Sequence, residues 1–203
     1  VLVNRLTGSR TIITRKMHTP PSLTYDQKLK LDDLAERLIA AEEPVTILID
    51  GHEAEISEYL IKKLPAARVV MDGGSLRASN IKLAAWTDYF VVSEHFARDY
   101  MSYRSLSSEA EIKAALIELN KICRGEAFIT LGEKGCAFLK SGMLQIVPSW
   151  LCNAVDTTGA GDVFHGAFTY GVHYSWHIDN IILFASLTAA ISIEKKGVRE
   201  SMP

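Results

Sequence analysis

The chain has 203 residues, 48% of them hydrophobic and 23% charged, so it can bury a sizeable core in one or two domains. A net charge of −2 without a basic tract argues against nucleic acid or an anionic membrane as a main partner, and the longest uncharged helical run, Asn180 to Ile193, is too short to span a bilayer. Cys123, Cys136 and Cys152 are odd in number and form no CxxC, which suits small buried thiols in a reducing compartment; with no signal peptide visible, a soluble, cytoplasmic protein is expected.

Taken in chain order, Val1–Val3 and Thr11–Arg15 flank Thr7-Gly8-Ser9-Arg10 and read as a hairpin with Arg10 in its turn. His18 to Leu23, with Pro20-Pro21, is a linker signal that divides residues 1–18 from 19–203. The pattern then alternates: a helix over about residues 26–42, strand Val45–Asp50, helix Glu53–Leu64 and strand Arg68–Asp72. A short helix near residues 79–86, strand Tyr89–Ser93 and helices over Glu94–Met101 and Glu109–Cys123 follow. Alternation of this kind predicts a parallel sheet covered on both faces. Ala127–Leu131, Cys136–Lys140 and Leu144–Val147, joined by Gly-containing turns, predict antiparallel strands added at one edge. Two helices, about 160–175 and 178–196, close the chain.

Open α/β sheets bind ligands beyond the carboxyl ends of their strands. Asp50-Gly51-His52, Asp72-Gly73-Gly74, Ser93-Glu94 and Thr130-Leu131-Gly132 all fall at such ends and would share one rim. Each alone could be ordinary turn chemistry. His52 and His165 are candidate polar contacts near this rim, each with an equally simple structural role.

Residues 155–168 carry the most chemistry. A glycine turn, Gly159-Ala160-Gly161, opens into a helical pattern with small or apolar residues at Ala160, Val163, Phe164, Ala167, Phe168 and Gly171. Free N–H groups and the positive end of the helix dipole make such a start an anion site, and glycines leave it open to approach. Asp162 lies in the first turn. A carboxylate beside an anion site is electrostatically odd unless it takes a proton from whatever meets the anion, as in phosphoryl transfer to a hydroxyl.

This string, with Gly166 at the matching spacing, closely resembles the second signature of the PfkB, or ribokinase-like, carbohydrate kinases. The resemblance runs almost end to end. It implies a three-layer α/β/α sandwich, a mostly parallel sheet with an antiparallel edge, and a remnant of a small β lid in residues 1–18. It also implies transfer of the γ-phosphoryl group of ATP to a primary hydroxyl of a small sugar or sugar derivative. Asp162 would be the general base, the amides of Gly159, Ala160 and Gly161 the anion hole, and Mg²⁺ the bridge between nucleotide phosphates. The family's early Asp and Gly-Gly-Asn motif have no counterpart, so an N-terminally incomplete chain is expected. A homodimer through the lid strands is a further expectation from the resemblance.

Thr130-Leu131-Gly132-Glu133-Lys134-Gly135 resembles the family's Thr-x-Gly-x-x-Gly segment along the nucleotide, which makes Thr130, Gly132 and Gly135 candidate contacts, with Ser93 and Thr158; Lys134 reads as a surface charge. Phe96 stands where the family's Asn-x-x-Glu motif has Glu, a departure that resembles the ketohexokinase-like and sulfofructose-kinase-like branches. Glu94 is then a candidate for holding Mg²⁺ through water, or simply a helix-start carboxylate. Asp72 and Arg77 resemble an Asp-x-x-x-x-Arg substrate loop, with a surface salt bridge for Arg77 the equal alternative; Arg10 is a weaker substrate candidate. Asp156, Thr158 and Ser201 match positions of a monovalent cation site, which brings K⁺ in as a further ion, although Asp156 could merely cap the turn. A catalytically silent nucleotide-binding relative is the rival to an active kinase. No P-loop and no protein-kinase motif is present, and Gly159-Ala160-Gly161 fails the dinucleotide fingerprint because a helix follows its helix.

Overall fold

The computed structural model describes residues 2–3, 10–11, 22–197 and 201–203, the first four as backbone only. Its centre is a six-stranded sheet in the order β3 (Thr46–Ile49), β4 (Arg68–Gly73), β5 (Tyr89–Ser93), β6 (Glu126–Thr130), β7 (Cys136–Lys140), β8 (Met143–Val147). Strands β3 to β6 run parallel, and β7 and β8 add antiparallel pairs at one edge, as the change of rhythm after residue 126 predicts. Helices α1 (Tyr25–Ala40), α2 (Ala54–Lys63), α3 (Ala78–Ala84), α4 (Glu94–Tyr100) and α5 (Glu109–Asn120) precede β7, and α6 (Ala160–His173) and α7 (Ile178–Ile193) close the chain.

Successive strand side chains point to opposite faces, and the two faces build separate cores. Val69, Met71, Phe90, Val92 and Ile129 pack with Ile61, Leu83, Phe96, Leu116 and Leu119 on the α1–α5 side. Val70, Val91, Phe128 and Phe138 pack with Phe164, Phe168, Ile181 and Ile182 of α6 and α7. The runs Val69-Val70-Met71 and Phe90-Val91-Val92 are fully buried because helices cover both faces, which is why they read as continuous apolar strands rather than alternating ones. Helices α1 and α5 open on capping boxes, Thr24 with Gln27 and Ser108 with Glu111.

Two helices stop earlier than their apolar patterns suggest. Helix α5 ends at Asn120 because that side chain donates to Leu116 O (2.7 Å) and accepts from Ala127 N (3.1 Å), tying the helix end to β6. Helix α7 ends at Ile193, whose carbonyl accepts the N–H groups of Val155 (2.7 Å) and Asp156 (3.1 Å) from the loop before α6. At the other end of the strands Asp88 takes the Arg124 guanidinium (2.9 and 2.6 Å) and Val69 N (2.8 Å), and Gly125 passes so close that a Cβ would lie 2.0 Å from Asp88 O. No helix of the described residues is long and apolar enough to cross a membrane.

In the N-terminal hairpin, β1 (Leu2–Val3) pairs antiparallel with β2 (Arg10–Thr11). Arg10 stands opposite Val3 in this register, within the strand rather than in the turn where its sequence neighbours placed it. Its side chain, residues 4–9 and the linker segment 12–21 lie outside the described residues.

Phe128 stacks on Phe138 (5.6 Å) and meets Phe168 edge-on (5.3 Å), joining the sheet to α6. We expect Phe128→Ala to lower unfolding free energy by about 3–5 kcal/mol, measured by denaturant titration with an unchanged slope.

Candidate active site on the sheet rim

Because β3 to β6 are parallel, their carboxyl ends share one edge, and Asp50, Asp72, Ser93 and Thr130 stand along it. Helix α6 starts at this same rim. Gly159, its N-cap, takes φ 77°, a left-handed conformation that a side chain disfavours. Asp156 fixes the preceding turn, accepting Thr158 N at 3.0 Å on one oxygen and Gly197 N at 3.3 Å on the other. The Ala160 N–H is turned back to Thr157 O at 3.3 Å, so of the anion-hole amides expected from sequence that one is already engaged. Gly161 and Asp162 occupy the next two positions of the first turn, where no intrahelical acceptor exists for an N–H.

Two kinds of glycine separate here. A Cβ on Gly135 (φ 104°) would fall 2.0 Å from Val147 O, so Gly135 is demanded by the approach of β8. A Cβ on Gly161 would meet nothing within 4 Å, and its backbone is ordinary helix. Nothing in the packing of the described residues requires a glycine at 161.

Beside this loop lies a cleft of about 430 Å³, lined by Leu48, Asp50, Glu53, Asp72, Asp162 and His165 among others. Asp162 is exposed to it, and its carboxylate has no ion pair or hydrogen bond with another described residue. Burial pushes the Asp72 carboxyl above the usual carboxylate range; His165 opposes that shift, and the nearby charges of Asp162 and Asp50 add to it. His165 is only 3% exposed, with Nδ1 2.6 Å from Gly161 O and 3.2 Å from Asp72 Oδ2, and Nε2 3.1 Å from Val91 O. A larger cavity, about 780 Å³, opens at the opposite ends of the strands around Arg68, Tyr89 and Trp176, away from all of these groups.

The remaining candidates divide. His52 pairs with Asp50 at 2.9 Å on the exposed loop after β3. The Ser93 hydroxyl donates to Gly74 O (2.9 Å) and accepts Phe96 N (3.0 Å) as the cap of α4, so a structural task already occupies it. Glu94 sits half-buried in the first turn of α4 with no ion pair among the described residues. Phe96 is fully buried against Phe90, so position 96 looks into the core and not onto the rim. Arg77 is exposed and makes no salt bridge among the described residues, against the surface pair that was its alternative reading. Thr130 donates to Val92 O at 3.4 Å; Gly132, at φ 60°, opens a single 3₁₀ turn, Gly132–Lys134, and Lys134 is exposed. Asp156 and Ser201 are both buried, and Ser201 Oγ donates to Gly197 O. Thr158 Oγ1 is buried with no hydrogen-bond partner among the described residues, an unusual state for a hydroxyl. Val198, Arg199 and Glu200 lie outside the described residues. Cys136 is buried and its thiol is pushed up to about 12, and that of half-buried Cys123 to about 11, by burial.

Comparison with known proteins gives the family and the fold. Residues 75–203 match the model for pfkB family carbohydrate kinases. The chain is 29% identical over 152 residues to a ribokinase of Lactococcus lactis, covering 75% of this chain and 47% of that protein. It shares its fold with a ribokinase of Arabidopsis thaliana solved with ribose and ATP: TM-score 0.70, 19% identity, 91% of this chain and 57% of that one. A double-mutant fructokinase of Vibrio cholerae, solved with fructose, ADP and a potassium ion, aligns with a TM-score of 0.65 at 19% identity over 79% of this chain and 58% of that one. The chain thus spans about half the length of the relatives it matches.

The two glycines should separate in a stability measurement. Gly135→Ala is expected to cost about 1–3 kcal/mol as the β7–β8 connection is forced apart. Gly161→Val is expected to change unfolding free energy by only about 0.5 kcal/mol. Equal losses in thermal melts would mean that Gly161, too, is held open by the fold.

Proposed function

This chain belongs to the pfkB family of carbohydrate kinases, and on that premise we propose that the protein transfers the γ-phosphoryl group of ATP to a primary hydroxyl of a small sugar. One observation carries the reading: an unpartnered carboxylate, Asp162, stands in the first turn of a helix whose start is kept open by Gly161, facing a cleft at the carboxyl ends of a parallel sheet. The acceptor hydroxyl gives its proton to Asp162 as its oxygen attacks phosphorus. The amides of Gly161 and Asp162 and the dipole of α6 meet charge that develops on the phosphoryl oxygens. These are fixed dipoles, so little rearrangement accompanies the reaction. The nucleotide would lie along the Thr130–Gly135 connection, where Gly132 leaves space for it.

Two ions belong to this reading. Among the described residues no cluster of three or more His, Cys, Asp or Glu could hold a metal, so Mg²⁺ would arrive on the nucleotide phosphates, where it neutralises charge. A monovalent cation fits better as a resident. Thr158 Oγ1 is buried and has no partner among the described residues, Asp156 is buried beside it in sequence, and buried Ser201 closes against the Gly197 carbonyl. A K⁺ ion there would satisfy Thr158 and anchor the turn before Gly159. One observation favours the rival, a catalytically silent relative: Phe96 is buried in the core, leaving no carboxylate at that position.

Asp162→Asn in the whole protein keeps size and shape but cannot accept a proton. Turnover should fall by about two to four powers of ten, while ATP affinity, read by calorimetry, holds or tightens because a negative charge has gone. A variant keeping more than about a tenth of wild-type turnover would remove Asp162 from the role of base. Nucleotide binding by a wild type that never turns over any of a sugar panel would identify the silent relative.

Thr158→Val tests the cation. It removes the buried unpaired hydroxyl, so stability should hold or rise by up to about 1 kcal/mol, and replacing Na⁺ with K⁺ should no longer raise the rate. If K⁺ still activates the variant, the cation sits elsewhere.

A further inference from the structure

The His165 ring is enclosed, and every polar atom within hydrogen-bond reach of its two nitrogens is an acceptor. Nδ1 faces Gly161 O (2.6 Å) and Asp72 Oδ2 (3.2 Å); Nε2 faces Val91 O (3.1 Å). A neutral imidazole has one N–H, and would leave one nitrogen pressed against an oxygen with no hydrogen between them. A ring with a hydrogen on both nitrogens satisfies all three contacts, and the Asp72 carboxyl 3.2 Å from Nδ1 is the group placed to answer its charge. Among the described residues no competing cation lines this cleft: Asp50 and Glu53 near the end of β3, Asp72 from β4 and Asp162 from α6 are its other ionisable groups.

The three contacts connect three elements. Asp72 ends β4, Val91 lies in the middle of β5, and Gly161 carries the peptide that leads into Asp162. We propose that the buried His165–Asp72 pair is a positioning device: a doubly protonated imidazole pins the Gly161 carbonyl to the sheet and thereby sets the direction of the free amides of α6 and of the Asp162 carboxylate. His165 touches no reacting atom in this arrangement; it acts through Gly161. Its positive charge also sits beside the place where phosphoryl charge would develop. The proposal rests on the phosphoryl-transfer reading of the cleft for its catalytic consequence, but not for its structural one.

Two measurements on the whole protein separate these. Long-range ¹H–¹⁵N spectra of the histidine rings at neutral pH report hydrogens on each nitrogen without reference to activity. The ring in contact with Val91 and Phe164 should carry two in the wild type and one in Asp72→Asn. A singly protonated wild-type ring overturns the pair, and this arm stands even if no variant folds. In turnover assays, His165→Gln and Asp72→Asn should each lower kcat per folded molecule about ten- to a hundredfold through misplacement of the base, with KM for ATP within about twofold. The double variant should be no worse than the worse single one, because both act through one contact. Unchanged kcat per folded molecule with a lowered melting temperature would make the pair merely structural and overturn the proposal. A wild type with a doubly protonated ring and no turnover on any sugar would count against the kinase reading alone.

Discussion

The left-handed turn at Gly159 is the constraint on which the rim depends. With φ 77° there, the chain leaves an extended loop and enters α6 at once, so the helix starts directly over the ends of β3 and β4. Asp156 secures the turn from both sides, holding Thr158 N within the loop and Gly197 N from the segment after α7. The carbonyl of Ile193 takes the two N–H groups just before it. The glycine loop is therefore clamped to the end of the last helix rather than hanging from the sheet. The start of α6 is held by those backbone bonds and by the aromatic core beneath the helix, where Phe164 and Phe168 pack with Phe128.

Much of this was legible in the sequence, for identifiable reasons. The parallel sheet announced itself through apolar runs too continuous for one-sided strands, and the antiparallel edge through closely spaced turns after residue 126. The glycine turn and the helix start at residue 160 were legible in the string itself. His165 was legible only as a possible polar contact near the rim, and its pairing with Asp72 was not. It sits in the buried stripe of α6, between Phe164 and Ala167, where an apolar period marks burial but says nothing about the partner that makes burial of an imidazole affordable. That partner, Asp72, is far away in sequence and arrives through the parallel pairing of β4 and β5. Spacing within one helix cannot reveal it.

The glycines teach a similar lesson. Gly132, Gly135, Gly159 and Gly161 look alike as letters, yet their reasons differ. Gly132, Gly135 and Gly159 take positive φ, Gly135 also yields to the backbone of another strand, and Gly161 does neither. Only coordinates distinguish a glycine that serves the fold from one whose absent side chain leaves room for a ligand. Ser93 makes the same point in reverse: its place at a strand end suggested a ligand contact, and its hydroxyl is spent joining Gly74 to the first turn of α4.

The charge balance of the cleft imposes a last condition on the proposed chemistry. Asp50, Asp72 and Asp162 converge there with Glu53, and no lysine or arginine lines it among the described residues. At an effective dielectric near 20, two unit charges about 4 Å apart interact by about 4 kcal/mol, so a triphosphate entering this space bare would be repelled. Helix α6 offers about half a positive charge at its start, and a doubly protonated His165 is already answered by Asp72. Neither offsets a nucleotide. In the proposed reaction a divalent cation carried by the phosphates would supply the compensating charge and leave the Asp162 carboxylate free for a proton.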